Sequence, residues 1–348
     1  MKALLYLLLL SLSIVAVSWF TSQRFQDWSN TKHSITGEAI VDLQAGARLN
    51  TLSRDLKVKG VVDYDWLFRF WVKYYADYSK FQAGKYRFTG EITPREVVAS
   101  FSTGDTYNPV VFELTIPEGY TFKQVAEKLV GSGIGTLEEL LSLRTDKALI
   151  KSLKVPSSSL EGYLYPATYS FAELPNARDV ISLTVGEFWK RIPMDYEQRL
   201  STMGLSLNQG IIFASLIELE TADLDEKPLV SEVIWRRLKD GGSLGIDASI
   251  IYGIDNFDGN LTRKQLDDTS NLYNSRIYPG LPPTAIGSPD VSSLLAVLNP
   301  SNKGYYYYVV DPSQGSRHHF SKTLSEHNSY VRALISYSRK NSTQGKRK

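Results

Sequence analysis

The chain contains no cysteine, which excludes disulfides, cysteine nucleophiles and thiolate metal sites. An excess of one charge is also missing. The net charge is +2, too small to argue for nucleic acid, and no nucleic-acid partner is expected. No glycine-rich phosphate loop is present, and the residues imply no cofactor. Only His318, His319 and His327 cluster among the histidines. They lack a metal-ligand spacing such as H-E-x-x-H, so packing within a hairpin is expected and no metal. Gly241-Gly-Ser-Leu-Gly245 matches G-x-S-x-G, a motif that needs a strand before the serine and a helix after it. Here a helix ends just before it, and Gly241 reads as the helix cap.

Long apolar runs are lacking except at one end. Residues 3–20 carry no charge and follow Lys2. The run is just long enough to span a bilayer, and the positive-inside rule leaves the amino terminus in the cytoplasm. Residues 1–20 are expected to be a single-pass anchor in the plasma (inner) membrane, with the bulk of the chain outside the cytoplasm. The rival is a cleaved signal peptide, for which Ala16-Val17-Ser18 is a passable site. Residues 21–39 are polar and read as a juxtamembrane linker. At the other end, residues 339–348 form a basic tail.

With 348 residues there is room for two or three domains, and the pattern between the ends is α+β. From about Ile40 a short strand, a turn and a helix recur three times, in 40–56, 86–101 and 111–129. Two of the helices open with capping boxes, Thr93–Glu96 and Thr121–Gln124. Such small units resemble LysM-type sugar-binding modules, and a LysM-like α+β region is expected over 40–155. An aromatic helix over 65–78 lies between the first two units, mostly as core; a membrane-surface role is its alternative. A catalytic region is expected over 156–338, with a proline- and glycine-rich loop at 272–289. A hairpin around Asp311–Gly315 follows, then a last helix from the box Thr323–Glu326. The 21 tyrosines and 6 tryptophans suit both sugar stacking and ordinary cores.

The stretch 206–221 organises this second region. Ser206 and Gln209 form a capping box, so a helix starts there. The helix is nearly all apolar and should be buried, yet it carries Glu218 and Glu220. Two positions apart, they face nearly opposite ways. Glu218 shares its stripe with Ile211, Ala214, Ser215 and Ala222, mostly small residues beside which a ligand can come close. It is placed to act as a single acid/base under a cleft. Glu220 lies with Ile212 and Leu216 and is expected to form a structural ion pair with a cation such as Arg236 or Arg237. That both are merely buried ion-pair partners is the plain alternative.

The chain resembles the YceG-like (MltG) family of endolytic murein transglycosylases, over roughly residues 40–338. The resemblance rests on Phe81-Gln-Ala-Gly-Lys-Tyr-Arg-Phe88, Pro117-Glu-Gly119, Glu161-Gly-Tyr-Leu-Tyr-Pro-Ala-Thr-Tyr169 and Ala214-Ser-Leu-Ile-Glu-Leu-Glu-Thr221. It continues in Ile251-Tyr-Gly253, Tyr273-Asn274, Gly280-Leu-Pro-Pro283, Asn299-Pro300 and His319-Phe320. It implies a membrane-anchored enzyme that cuts the MurNAc–GlcNAc bond of nascent peptidoglycan glycan strands to leave 1,6-anhydroMurNAc ends, terminating strand elongation. It implies that Glu218 is catalytic, protonating the leaving oxygen and then taking the proton of the muramic acid C6 hydroxyl. An apolar helix would raise its pKa by desolvation. Tyr252, Tyr273 and Asn274 are the substrate-binding candidates, the tyrosines for stacking and the asparagine for N-acetyl groups. Peptidoglycan synthases are the partners such a protein invites. Three departures from the family pattern stand at Leu219, at Asp223–Glu226 and at Ser249.

Two rival functions share these residues. A hydrolytic muramidase would use the same glutamate with water. A non-catalytic glycan-binding scaffold would use the small units alone. A lone carboxylate favours the transglycosylase, because a hydrolase normally needs a second group.

Overall fold

The computed structural model describes residues 2–315 and 317–345, the side chains of 2–10 and 340–345 excepted. The chain divides into two compact units, residues 1–110 and 111–348.

The first unit opens with helix α1 (Lys2–Ser29). Strand β1 (His33–Leu43), helices α2 (Leu49–Val58) and α3 (Asp65–Tyr75), strand β2 (Gly84–Ile92) and helix α4 (Pro94–Thr103) follow. β1 and β2 pair antiparallel, with Val41 opposite Tyr86 and Ala39 opposite Phe88. Alternation along both strands sends Ala39, Val41, Tyr86 and Phe88 to one buried face, the period-two signature of a half-buried strand. Leu52, Leu56, Phe68, Trp71 and Phe101 from the helices close that core. The first two expected strand–helix units are therefore one unit, because their strands are partners. The expected linker at 21–39 is ordered as the end of α1 and the start of β1. In α3, Phe68 and Trp71 are buried while Trp66, Phe70 and Tyr74 are exposed, so the aromatic helix is core on one face only.

No helix among the described residues is long and apolar enough to cross a membrane. The anchor expected at 1–20 falls in part outside them, since the side chains of 1–10 are not described. The expected basic tail also lies largely outside them, apart from the backbone of the last helix, which runs to Gly345.

The second unit begins with β3 (Phe112–Thr115), α5 (Phe122–Gly131), α6 (Leu137–Leu143), α7 (Lys147–Ser152), β4 (Thr168–Phe171), α8 (Ala177–Arg191) and α9 (Tyr196–Thr202). Then come α10 (Leu207–Glu220), α11 (Lys227–Lys239), α12 (Asp247–Tyr252), α13 (Arg263–Leu266), α14 (Val291–Leu298), β5 (Tyr307–Val310), β6 (His318–Ser321) and α15 (Leu324–Gly345). β3 pairs with β4, Leu114 opposite Tyr169, and Ile116, Phe122, Leu140 and Ile150 enter the same core as α10. The third expected strand–helix unit thus belongs to this unit, and the division falls at 110 and 111 in place of the boundary expected near 155.

Helix α10 is the centre. Its capping box forms as the sequence spells it, with Ser206 and Gln209 each closing on the other's backbone. Residues 210–218 are all buried, and α14 packs against it most extensively, with α9, α11 and α12 around it. Gly210 is required by that packing: a Cβ there would stand 2.3 Å from Leu200 Cδ1. The boxes at Thr93 and Thr121 also close, and β5 and β6 form the expected hairpin, Val310 opposite His318.

Candidate active site

Glu218 sits near the end of α10, with 2% of its side chain exposed. The small residues of its stripe admit the chain itself. The backbone N–H of Ile286 donates to Ser215 Oγ at 3.1 Å. Gly162 lies close enough that a Cβ would meet Ala285 at 2.4 Å and Ile211 at 3.2 Å. The segment from Thr284 to Asp290, part of the proline- and glycine-rich loop and its exit, is thereby laid along α10 and delivered to Glu218.

The carboxylate does not look into an apolar surrounding. Lys227 Nζ, at the first turn of α11, lies 3.0 Å from Glu218 Oε1 and 3.2 Å from Oε2. The N–H of Asp290 donates to Oε2 at 3.0 Å. Lys227 is itself 2% exposed and also donates to Ser292 Oγ at 2.7 Å and Asp290 Oδ1 at 3.3 Å. Asp290 caps α14, accepting from the N–H groups of Ser292 and Ser293. Burial opposes its charge, but the Ser292 hydrogen bond and the Lys227 charge together hold its carboxyl below the ordinary range. Such a buried ion pair is sustainable because its remaining donors and acceptors are also satisfied.

Nor is Glu218 alone. The turn at Pro117-Glu118-Gly119 docks on the same place. Gly119 N–H donates to the Ser288 carbonyl at 2.8 Å, and Ser288 N–H donates back to the Tyr120 carbonyl at 2.9 Å. Gly119 has φ +74°, and a Cβ on it would lie 2.9 Å from Leu219 Cδ2 and 4.0 Å from Glu218 Cγ. Glu118 beside it is exposed. Partial burial and the charges of Glu218 and Asp290, against that of Lys227, push its carboxyl up. Neither Lys227, Asp290 nor Glu118 was singled out from sequence, although Glu118 stands in one of the quoted matches and Lys227 opens the helix after Glu218.

Glu220 faces the other way, as the helical geometry requires. Its partner is the hydroxyl of Tyr308 on β5 in place of the expected arginine; burial, the dominant influence, pushes its carboxyl up against that hydrogen bond. Among the described residues no cation lies within ion-pair distance of it. The guanidinium of Arg237 instead donates to the carbonyls of Leu244 and Tyr306, and Arg236 pairs with Glu232 at 3.2 Å.

Tyr252 and Tyr273 do meet, with ring centroids 4.8 Å apart. They line a cavity of about 600 Å³ together with Arg144, Glu161, Asn256 and Phe257. Glu161 is buried there. It accepts from the N–H of Phe122, at the start of α5, and from Tyr252 Oη, each at 2.8 Å. Burial outweighs both bonds and pushes its carboxyl up to about 7. Thr284 lines this cavity too, so one loop segment connects it to Glu218. Asn274 does not open into it: buried, it donates to the carbonyls of Leu266 and Asp268 and ties the loop together. A cavity of about 700 Å³ lies beside Glu232, Trp235 and Asp240; Glu232 there accepts from Ser301, Lys303 and Gly304, and Asp240 accepts from the Tyr306 hydroxyl.

The departures from the family pattern have local partners. Leu219 packs on the Gly119 turn. Asp223 pairs with Arg317 at 2.6 Å and Glu226 with His318 at 2.8 Å, fastening the loop after α10 to the β5–β6 hairpin. Ser249 Oγ donates to Ser275 Oγ at 2.8 Å.

These features define an α+β unit whose central helix buries one carboxylate among polar partners, joined by the 284–290 segment to a tyrosine-lined cavity. A sequence model of the YceG-like family matches residues 41–333, and the chain belongs to that family. It is similar to an endolytic murein transglycosylase of Streptococcus pneumoniae (strain ATCC BAA-255 / R6), 26% identical over 318 residues, covering 82% of this chain and 56% of that protein. The chain thus spans little more than half the length of the pneumococcal relative. A Bacillus subtilis (strain 168) protein of the same name is 25% identical over 311 residues, 85% of this chain and 84% of its own. The crystal structure of a yceG-like protein from Listeria monocytogenes superposes with a TM-score of 0.56 at 29% identity, covering 84% of this chain and 98% of that one.

Proposed function

We propose that the chain is an endolytic lytic transglycosylase of peptidoglycan, cleaving the MurNAc–GlcNAc bond with Glu218 as the central catalytic group and leaving 1,6-anhydroMurNAc ends. The observation that carries this reading is a buried glutamate, fixed by Lys227 and the Asp290 N–H, in a chain whose relatives bear that activity in their names. A carboxylate so held is oriented to take the proton of a C6 hydroxyl as that oxygen attacks C1. No water is needed, because the nucleophile belongs to the substrate. Strand termination in the growing wall is the consequence of such cutting.

Tyr252 and Tyr273 are proposed to hold a sugar in the cavity, by stacking. The first unit is proposed as the LysM-like glycan-holding part. A cavity of about 220 Å³ lined by Gly46, Tyr78 and Phe81 supports it. We also propose that α1 anchors the protein in the plasma membrane with the rest outside the cytoplasm, where it would meet peptidoglycan synthases. Leu12, Ile14, Val15, Val17, Trp19 and Phe20 are all exposed along it, a stripe that soluble proteins rarely leave uncovered.

The number of acids does not separate this reading from a hydrolytic muramidase, because Glu118 and Asp290 stand near Glu218. The muramidase is therefore the second reading, favoured by those two carboxyls. Glu218→Gln should bind glycan strands and lose turnover by at least ~100-fold, the usual worth of a positioned acid/base. A Gln variant that still cuts at the wild-type rate would remove Glu218 from the catalytic role, and one that retains biological function without cutting would leave the scaffold reading in its place.

A further inference from the structure

We propose that Glu118 is the proton donor of the cleft and Glu218 its base, so that the two halves of the acid/base work are divided between two carboxyls. The inference rests on the transglycosylase reading and adds a residue to it. Cleavage needs one group that holds a proton and one that accepts one. Glu218 is tied to a buried ammonium on both oxygens and accepts a backbone N–H besides. Every one of these contacts is a donor to Glu218, so its oxygens act there only as acceptors, the role from which a base begins. Asp290 is likewise spent on Lys227 and on the cap of α14.

Glu118 alone of the group has no such partner among the described residues, and it opens outward from the turn that the Ser288 bonds clamp over Glu218. The charges that reach it are those of Glu218 on α10, Asp290 before α14 and Lys227 on α11. The charge of Glu118 is felt in turn by Tyr165, which lies beneath the Arg191 guanidinium in the loop before β4. The charges of Glu218, Asp290 and Glu118 outnumber that of Lys227, and a proton relieves the excess best at the carboxyl least committed to other bonds. The upward shift of the Glu118 carboxyl follows from burial and from that crowding.

In the reaction, Glu118 gives its proton to the glucosamine O4 as the C1–O4 bond breaks. The muramic acid O6 forms the new bond to C1, and its proton passes to Glu218. The pair then holds the same single proton on the other partner, and exchange through solvent restores the start.

The test uses the full chain and two substrates: uncrosslinked glycan strands, and a nitrophenyl glycoside of muramic acid, whose leaving group departs without a proton. Glu118→Gln should lower kcat on strands by ~10²–10⁴-fold, the range for a general acid, with little change in KM. On the nitrophenyl substrate it should recover to near the wild-type rate, whereas Glu218→Gln should stay impaired on both. The alkaline limb of the kcat profile should vanish in Glu118→Gln. An unchanged melting curve is the control, since Glu118 is exposed. A Glu118→Gln variant that cuts strands at the wild-type rate, or that is equally impaired on both substrates, overturns the assignment. Reducing ends from the wild type overturn the transglycosylase reading instead, and the leaving-group comparison then still decides the donor.

Discussion

The two carboxyls that end α10 are two residues apart and are settled in opposite ways. Glu218 is buried against an ammonium and an N–H, with the charge of Glu118 on the neighbouring turn and of Asp290 on the same ammonium. Glu220 is held by a phenol, and burial raises its carboxyl. Glu161, under the tyrosine cavity, follows the second pattern with Tyr252 as its phenol. The comparison teaches that burial alone does not mark the chemical residue. A carboxyl buried with neutral donors is a stability device whose charge is disfavoured. One buried with a cation and an excess of acids is a place where protons can be exchanged.

The largest effect that would break this contrast comes from Lys227. Lys227→Met leaves Glu218 and Asp290 buried without their cation. Removing one partner of a buried pair costs about 3–5 kcal/mol, so chemical denaturation should show a loss of that size, with turnover gone. A loss below about 1 kcal/mol would mean the pair is solvated, as exposed pairs are.

The next effect is a pH dependence at Glu161. Its folded carboxyl is raised from 4.5 to about 7, so the folded state holds the proton more tightly than the unfolded one. The stabilisation is complete below the unfolded value and is lost as pH rises through the folded one. The shift of 2.5 (7 minus 4.5) is worth roughly 3 kcal/mol at 1.36 per pK unit. Wild-type stability should therefore fall, relative to Glu161→Gln, between pH 4.5 and pH 7. Denaturant midpoints measured across that window check it, and parallel curves for the two proteins would contradict it.

The smallest effect sharpens the Glu220 side. Tyr308→Phe removes the donor to a buried acceptor, a cost of ~1–3 kcal/mol, and should leave turnover nearly intact. If melting is unchanged and turnover collapses, the two ends of the helix are not separate.

The sequence carried the local structure well. Capping boxes at Thr93, Thr121 and Ser206 are short-range chemistry, and each closes as spelled. The opposed placement of Glu218 and Glu220 follows from helix period alone. What was not legible depends on long-range pairing. β3 meets β4 more than fifty residues away, which moved the unit boundary from 155 to 110. Likewise Glu118, Lys227 and Asp290 come from three separate stretches, each with an ordinary local explanation as turn, helix start and helix cap. The loop laid along the small-residue stripe of α10 brings Asp290 to Glu218 and clamps the Glu118 turn there, and the turn into α11 brings Lys227. Asn274 erred in the same manner: its residue type suits a sugar amide, but the loop consumes its donors.

The central claim is that the nucleophile of the reaction is the substrate's own hydroxyl, taken up by Glu218. Mass spectrometry of early products from uncrosslinked glycan strands tests it most directly. The account predicts fragments of several disaccharides ending in anhydromuramic acid, one water lighter than hydrolytic products, and none of them from Glu218→Gln. Fragments ending in reducing muramic acid would contradict it.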